Sequence, residues 1–303
     1  MAFRKFKIGW KLKAATFNFL GAAPFGGTLY YLLQRYVTKT IPRRLAPTEE
    51  TGAAQISHAR KFLQRGVHLD EAILFEFGAG WDLYSNIILY CFGANRQITI
   101  DIRRLVKAEA INAVIRHLQA DPPQGAVRRP PALIRQSHLE EDLRELYGIT
   151  YRAPDDATAL DFADDSIDLI ATTSVLEHVP DDIVQGIMRE CYRILRRGGL
   201  MSHVIDYSDH YAHSDPAISE FSYLAFDEKA WARYNPSIHF QNRRRSSYFR
   251  RIFEKHGFVV RETDPWHGEA DALEKVPVNS QFRQYPRSEL LELGCHFLLE
   301  KPA

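Results

Sequence analysis

No acidic residue occurs before Glu49, although nine lysines and arginines do. Over the whole chain the signs balance: 39 Lys and Arg against 38 Asp and Glu give a formal net charge of +1. That balance argues against a dedicated nucleic-acid binder, which needs a basic field over its whole face. No Asn/Asp-Pro-Pro-Tyr/Phe motif for nucleic-acid methylation is present; Pro122-Pro123 lies in a loop without the aromatic residue. Cysteine is scarce: Cys91, Cys191 and Cys295 are far apart, too few and too scattered for a disulfide framework or a zinc site. A reducing, cytoplasmic setting is expected. Long apolar runs are also missing. Ala14 to Gln34 carries no charge, but Asn18, Gly21, Pro24, Gly26 and Gly27 interrupt it. It is therefore a poor membrane span, and no small-residue cleavage site marks it as a signal peptide. Residues 1–60 are expected to form a helical cap on the rest. A segment lying on a membrane surface and an organellar transit peptide remain the alternatives.

The segment Ile73–Gly80 (ILFEFGAG) is a buried strand running into a turn too tight for most side chains. Twenty-one residues beyond Gly80 a second strand ends in Asp101, where a carboxylate can bridge two ribose hydroxyls. A phosphate site would carry more glycine and a Lys or Ser/Thr after it; here Trp81 follows. The third glycine of a dinucleotide fingerprint is absent, because position 83 is Leu. A ribose-bearing, phosphate-free ligand fits better than NAD.

Period and turn signals place helices at Glu50–Arg65, Leu83–Phe92, about Leu105–Leu118, His138–Tyr147, Asp182–Leu195 and Ser247–His256. Strands are expected at Ile73–Phe77, Gln97–Asp101, from Ile149, at Ser166–Ala171, Leu200–Ile205, Phe258–Arg261 and His296–Glu300, with Arg197-Gly198-Gly199 a turn into the fifth. Strands alternating with helices imply an α/β fold with a mainly parallel sheet. The catalytic domain would be 61–303, with an insertion over about 206–246.

Glu76–Gly80, Asp101, Asp156–Phe162 (DATALDF), Asp165–Asp168, Ser174–Val179 (SVLEHV) and Leu195–Gly199 follow in order. Together they resemble the class I S-adenosylmethionine-dependent methyltransferases, in particular those that modify ubiquinone and other small molecules. The likeness covers about Lys61 to Ile205. It implies a Rossmann-like, seven-stranded sheet and S-adenosyl-L-methionine as cofactor. By that resemblance Gly78, Ala79 and Gly80 underlie the methionine and ribose, and Glu76 orders the turn or reaches the methionine amine through water. Asp101 would hold the ribose diol, and Ile102 would wall the adenine. Asp156 and the N–H of Ala157 would read the adenine edge, and Ser174 would sit near the sulfonium. Glu177 and His178 serve the architecture more often than the chemistry.

The acceptor side is read from the residues after strand five. Asp206 and His210 form the preferred base pair, with Tyr207 beside them, since a carboxylate facing an imidazole raises its basicity. A polar loop that pins a lid is the competing reading. His203, His210 and His213 with nearby aspartates match no metal-ligand spacing, so no metal is expected. Phe221, Tyr223, Phe226, Trp231, Tyr234, Phe240 and Tyr248 would cover an acceptor pocket or fill a core. Asn235, His239, Gln241 and Asn242 are candidate substrate readers. Arg243–Arg245 would meet an anionic substrate or form a solvated face. The expected reaction is methyl transfer to a hydroxyl of a small molecule. The alternatives are intramolecular alkylation to azetidine-2-carboxylate with release of methylthioadenosine, as in bacterial azetidine-2-carboxylate synthases, and a cofactor-binding protein without turnover. Oligomeric state is left open.

Overall fold

The computed structural model describes residues 9–38, 40–43 and 45–303. Residues 1–8 of the expected cap lie outside the described residues. Seven strands form one sheet: β1 Ile73–Phe77, β2 Arg96–Ile100, β3 Ile149–Arg152, β4 Ile167–Thr173, β5 Leu195–Asp206, β6 Val259–His267 and β7 Glu292–Glu300. Their order is β3-β2-β1-β4-β5-β7-β6; β7 runs antiparallel to both neighbours, and the other pairings are parallel. The sheet is the seven-stranded, mainly parallel Rossmann-like class I methyltransferase arrangement. Its order reverses between β1 and β4, which opens a crevice at their carboxyl ends.

Both faces are covered, so the strands read as nearly continuous apolar runs. The two-residue period of β1 divides its side chains. Leu74 packs with Ile56, Ile87 and Leu89 on one face; Phe75 and Phe77 pack with Met188 and Phe253 on the other. Glu76 shares the first face with Leu74, beneath the start of a helix. The first layer comprises α4 (Ala53–Gln64), α5 (Tyr84–Cys91) and α6 (Ala108–Ala120); the second holds the helix Asp181–Ile194 and, later, Ser246–Lys255.

The arm contributes α1 (Trp10–Ala22) and α2 (Gly26–Leu32), then α3 (Thr48–Thr51). Ala14, Phe17 and Leu20 of α1 are buried against Tyr211, Tyr223 and Trp231 of the segment after β5, in a core of their own. α1 is thus seated on the insertion rather than on the sheet. No helix among the described residues is long and apolar enough to cross a membrane.

Three elements differ from the sequence reading. The helix expected over Glu50–Arg65 is broken into α3 and α4 at Gly52, where a Cβ would approach Ile88 Cδ1 to 2.7 Å. Arg197–Gly199 does not precede β5 but is looped out within it. β4–β5 pairing passes from Ile167↔Leu195 directly to Leu169↔Leu200, and Gly198 donates its N–H to the Lys301 carbonyl. β6 and β7 are each nine residues long, well beyond the expected stretches. β6 continues through Asp264-Pro265-Trp266 because an edge strand tolerates proline, and Trp266 lies across Gly294, where a Cβ would fall 1.9 Å from the ring.

A buried polar chain joins α4 to the sheet. His58 Nδ1 and Nε2 bond the hydroxyls of Ser202 (2.6 Å) and Thr173 (3.1 Å), and His296 bonds Ser202 (2.7 Å) and Ser57 (3.1 Å). Burial holds the His296 pKa at about 3 and pushes that of His58 well down, so both rings stay neutral, each with one N–H and one lone pair to satisfy the hydroxyls.

Candidate functional site

At the end of β1 the chain turns with Gly78 at φ +81° and Gly80 at φ +67°. Both angles favour glycine, and at Gly78 a Cβ would also lie 2.6 Å from Val175 Cγ2. Gly78 and Ala79 donate their N–H groups to the Ile100 carbonyl, at 2.9 and 3.1 Å. Gly80 donates to the Asp101 carboxylate at 3.1 Å, and Arg103 N–H donates to its other oxygen at 3.0 Å. The turn and the end of β2 are therefore one unit, with Asp101 fixed in position. Burial raises the Asp101 pKa, though these two backbone donors oppose the shift. Leu83, where a dinucleotide site has glycine, takes φ +52° in spite of its side chain, and so does Ser174 at φ +53° just past β4. Strained backbone gathers around this crevice.

A cavity of about 310 Å³ opens there, lined by Glu76, Gly78–Trp81, Thr173 and Ser174 from the sheet side and by Gln34, Ile41 and Arg43 from the arm. Glu76 is buried and accepts from Thr99 Oγ1. Burial pushes its carboxyl up to about 7 against the hydrogen bonds of Ser85, Thr99 and Asn86.

Ile102 is 70% exposed at the rim beside Asp101. Asp156 is exposed, its Oδ1 accepting from the N–H and hydroxyl of Thr158 at 2.8 Å each. The neighbouring Asp155 N–H donates to the Asp101 carbonyl at 3.0 Å, which ties this loop to the end of β2. Ala157 is half-buried next to it.

The arm supplies residues that sequence reasoning passed over. Arg43 forms a two-pronged ion pair with Asp82 and lies 4.6 Å above the Tyr84 ring. Tyr31 stacks on Trp81 with centroids 5.3 Å apart. Arg43 thus lines the cavity with the turn, and Tyr31 backs Trp81, which lines it too. The signal was present as a basic arm and a Trp-Asp pair after the turn, but no spacing links residues 31 and 43 to 81 and 82.

On the other side of Ser174 lies a cluster of imidazoles and carboxylates. Asp206 Oδ2 is 3.5 Å from His210 Nε2, while Asp206 Oδ1 accepts from the N–H and hydroxyl of Ser208. Burial would raise the Asp206 pKa, yet the contacts with His210 and Ser208 outweigh it and leave it below the usual value. His178 meets His210 edge-on at 4.9 Å, and His213 stacks on it at 5.1 Å. His178 Nδ1 donates to the Phe240 carbonyl at 2.7 Å, and burial holds its pKa at about 4, so Nε2 keeps its lone pair. Glu177 is buried with its pKa well above normal, chiefly from burial and secondarily from Asp206. Its Oε2 has no hydrogen-bond partner, nor has His210 Nε2. Ligand atoms of Glu177, His178 and His210 lie within 4.8 Å of one another, a two-imidazole, one-carboxylate set that can hold a divalent cation. No spacing in the sequence links these ligands, because Glu177-His178 and His210 come from the ends of different strands.

Tyr207 does not join this cluster. It is turned to the opposite side, stacked on Phe249 at 5.9 Å under the Arg245 guanidinium, and burial keeps its hydroxyl from ionising. His203 is likewise a core residue, bonded to Thr172 and stacked on Phe253. Arg243 and Arg245 are neither solvated nor free for an anion. Arg243 caps the carbonyls of Tyr223 and Phe226, and Arg245 those of Tyr207, Glu289 and Leu290, so they strut the insertion from within. Arg244 pairs with Asp181. Asn235 and Gln241 bond each other, and Asn242 holds the Leu176 and Val179 carbonyls. Two of the candidate readers reach the cluster: Gln241 Oε1 accepts from the His210 N–H at 3.2 Å, and the His239 ring lies 6.0 Å from His210 and 4.7 Å from Phe17 of the arm.

Residues 127–202 match the model of a methyltransferase domain family. No curated protein matches the sequence. Solved structures with a similar chain path include an S-adenosylmethionine-dependent methyltransferase from Mesorhizobium loti (15% identity, 82% of this chain and 99% of that one, TM-score 0.46). Another is a SAM-dependent methyltransferase from Methanosarcina mazei (15%, 80% and 97%, TM-score 0.44). A third is geranyl diphosphate C-methyltransferase from Streptomyces coelicolor, in complex with Mg2+, geranyl diphosphate and S-adenosyl-L-homocysteine (10%, 81% and 78%, TM-score 0.46). The family match runs from the loop before β3 through β4 and into β5, the strands beside the switch point; over these residues the chain is similar to a methyltransferase domain, which with the class I fold supports S-adenosyl-L-methionine as the cofactor.

Proposed function

We propose that the protein transfers the methyl group of S-adenosyl-L-methionine to a hydroxyl oxygen of a small molecule. The observation that carries this reading is the Asp206–His210 pair, set at the end of β5 across His178 from the cofactor crevice. Asp101 would hold the ribose diol and Glu76 the methionine ammonium. Ile102 would cover adenine, read at its edge by Asp156 and the Ala157 N–H. Ser174 would stand near the sulfonium. The acceptor oxygen forms a bond to the methyl carbon as the S–CH3 bond breaks, the electron pair leaves on sulfur, and the hydroxyl proton passes to His210 and then to water. Asp206 orients the imidazole and stabilises its protonated form. Holding oxygen, carbon and sulfur in line is the larger part of the task.

The cluster of Glu177, His178 and His210 favours a second reading of the same step. A divalent cation there would bind a vicinal diol or catechol and lower the acceptor's pKa, leaving His210 a ligand rather than a base.

The deciding experiment is incubation with S-adenosyl-L-methionine, alone and with a panel of hydroxylated acceptors, with products identified by mass spectrometry. S-adenosylhomocysteine and a methylated acceptor, formed together, are expected. Methylthioadenosine appearing without any acceptor would replace methyl transfer by intramolecular alkylation. Tight cofactor binding with neither product would indicate a protein that has lost turnover.

A further inference from the structure

We propose that the outer face of the N-terminal arm docks on an anionic phospholipid surface, lying in it rather than crossing it. Among the described residues thirteen large hydrophobic side chains stand exposed, and seven of them fall between Leu12 and Val37. The arm buries one face only. Ala14, Phe17 and Leu20 enter the core of the insertion, whereas Leu12 is 64%, Phe19 68% and Phe25 86% exposed. Phe25 also sits at φ +66°, a conformation costly for an aromatic residue, and its ring finds no burial in return. A patch of this density marks a surface that meets something else.

The charge pattern selects the partner. Residues 14–34 carry no charge, Lys11 stands exposed before them, and no acidic residue occurs before Glu49. An exposed apolar face in a basic, acid-free arm matches the headgroup and acyl boundary of an anionic bilayer. A second copy matches poorly, because a two-fold contact would set two acid-free arms against each other. The thirteen residues of α1 are too few to span, since a crossing helix needs about 20.

The inner face of this arm covers the reaction site. Gln34, Ile41 and Arg43 line the cofactor cavity, and Phe17 packs on His239 beside His210. Docking would therefore bring the acceptor side to the membrane, and the acceptor class it names is an amphiphile whose hydroxyl is presented at the bilayer surface. This last step rests on the methyl-transfer reading; the docking itself does not.

Co-sedimentation with extruded vesicles tests it, using phosphatidylcholine alone and phosphatidylcholine containing a quarter phosphatidylglycerol. Binding to the anionic vesicles only is expected. It should weaken about tenfold in Phe19→Ser and again in Phe25→Ser, from the apolar area no longer inserted, and severalfold in Lys11→Glu. These side chains are exposed, so thermal unfolding should be unchanged. No binding to either vesicle, or equal binding by wild type and variants, overturns the proposal. A dimer in solution that the serine variants disperse would overturn it in favour of a second copy. Calorimetric titration with S-adenosylhomocysteine separates the two claims. Equal affinity in wild type and the serine variants, with vesicle binding lost, supports docking. No affinity in any form refutes the functional reading and leaves the vesicle result to stand alone.

Discussion

Glu76→Gln should stabilise the cofactor-free protein at neutral pH while impairing the site. Glu76 is buried under the start of α5, and its carboxyl is pushed up to about 7 from an ordinary 4.5. The folded state thus holds its proton more tightly than the unfolded state does. Below pH 4.5 both states are protonated and the group contributes nothing to pH dependence. Between 4.5 and 7 the unfolded state ionises first, so native stability falls as pH rises. Above 7 both are ionised and the loss is constant. A difference of about 2.5 pKa units corresponds to about 3 kcal/mol, gained at about 1.4 kcal/mol per pH unit. Glutamine keeps the shape and cannot ionise, so the variant's advantage over wild type should grow across this window by about 3 kcal/mol and then level off. Urea denaturation of both proteins from pH 5 to 8, without cofactor, measures it. A variant that differs from wild type by the same amount at every pH would refute the reasoning. Cofactor binding should show the reverse linkage. A methionine ammonium favours ionised Glu76, so wild-type affinity should rise with pH, by up to about tenfold per unit, and flatten above 7. The Glu76→Gln affinity should be weaker and lack that dependence.

Asp101→Ala should weaken S-adenosylhomocysteine binding at least about tenfold in calorimetric titration, because a carboxylate fixed by two backbone N–H groups has lost its ligand partner. His210→Ala should lower kcat by about 10² to 10⁴ with cofactor affinity kept, if the imidazole is the base. Metal analysis with added Mn2+ or Co2+ on the same variant distinguishes the cation reading, in which wild type binds the metal and the variant does not. Arg43→Ala should loosen the arm through the lost pair with Asp82, giving faster tryptic cleavage between residues 9 and 43 and about tenfold weaker cofactor binding. Cleavage at the wild-type rate would mean that the arm does not depend on this pair.

The strand-turn-strand from Ile73 to Asp101 was legible because its constraints are local. Positive φ at Gly78 and Gly80 demands a small residue, and apolar runs set the central strands. The late strands were truncated because β6 lies at an edge, where polar residues and Pro265 are tolerated and no apolar period appears. Tyr207 was misplaced for a related reason. Consecutive residues at a strand end point to opposite sides, so Asp206 faces the crevice and Tyr207 the core. Composition likewise misread Arg243 and Arg245, which are buried and donate to backbone carbonyls of the insertion and of the segment before β7.

By itself the sequence determined the central strands of the sheet, the glycine turn after β1 and the nearness of Asp206 to His210, since each depends on short-range backbone conformation or on spacing within one segment. The tertiary structure alone decided which distant segments share a site. Closure of the sheet brings Glu177 and His178 from the end of β4 to His210 after β5. The packing of α1 on the insertion lays Arg43 and Tyr31 over the turn and leaves Phe19 and Phe25 facing outward. Such juxtapositions come from burying apolar faces against partners far away in the chain, and that leaves no period or spacing to read.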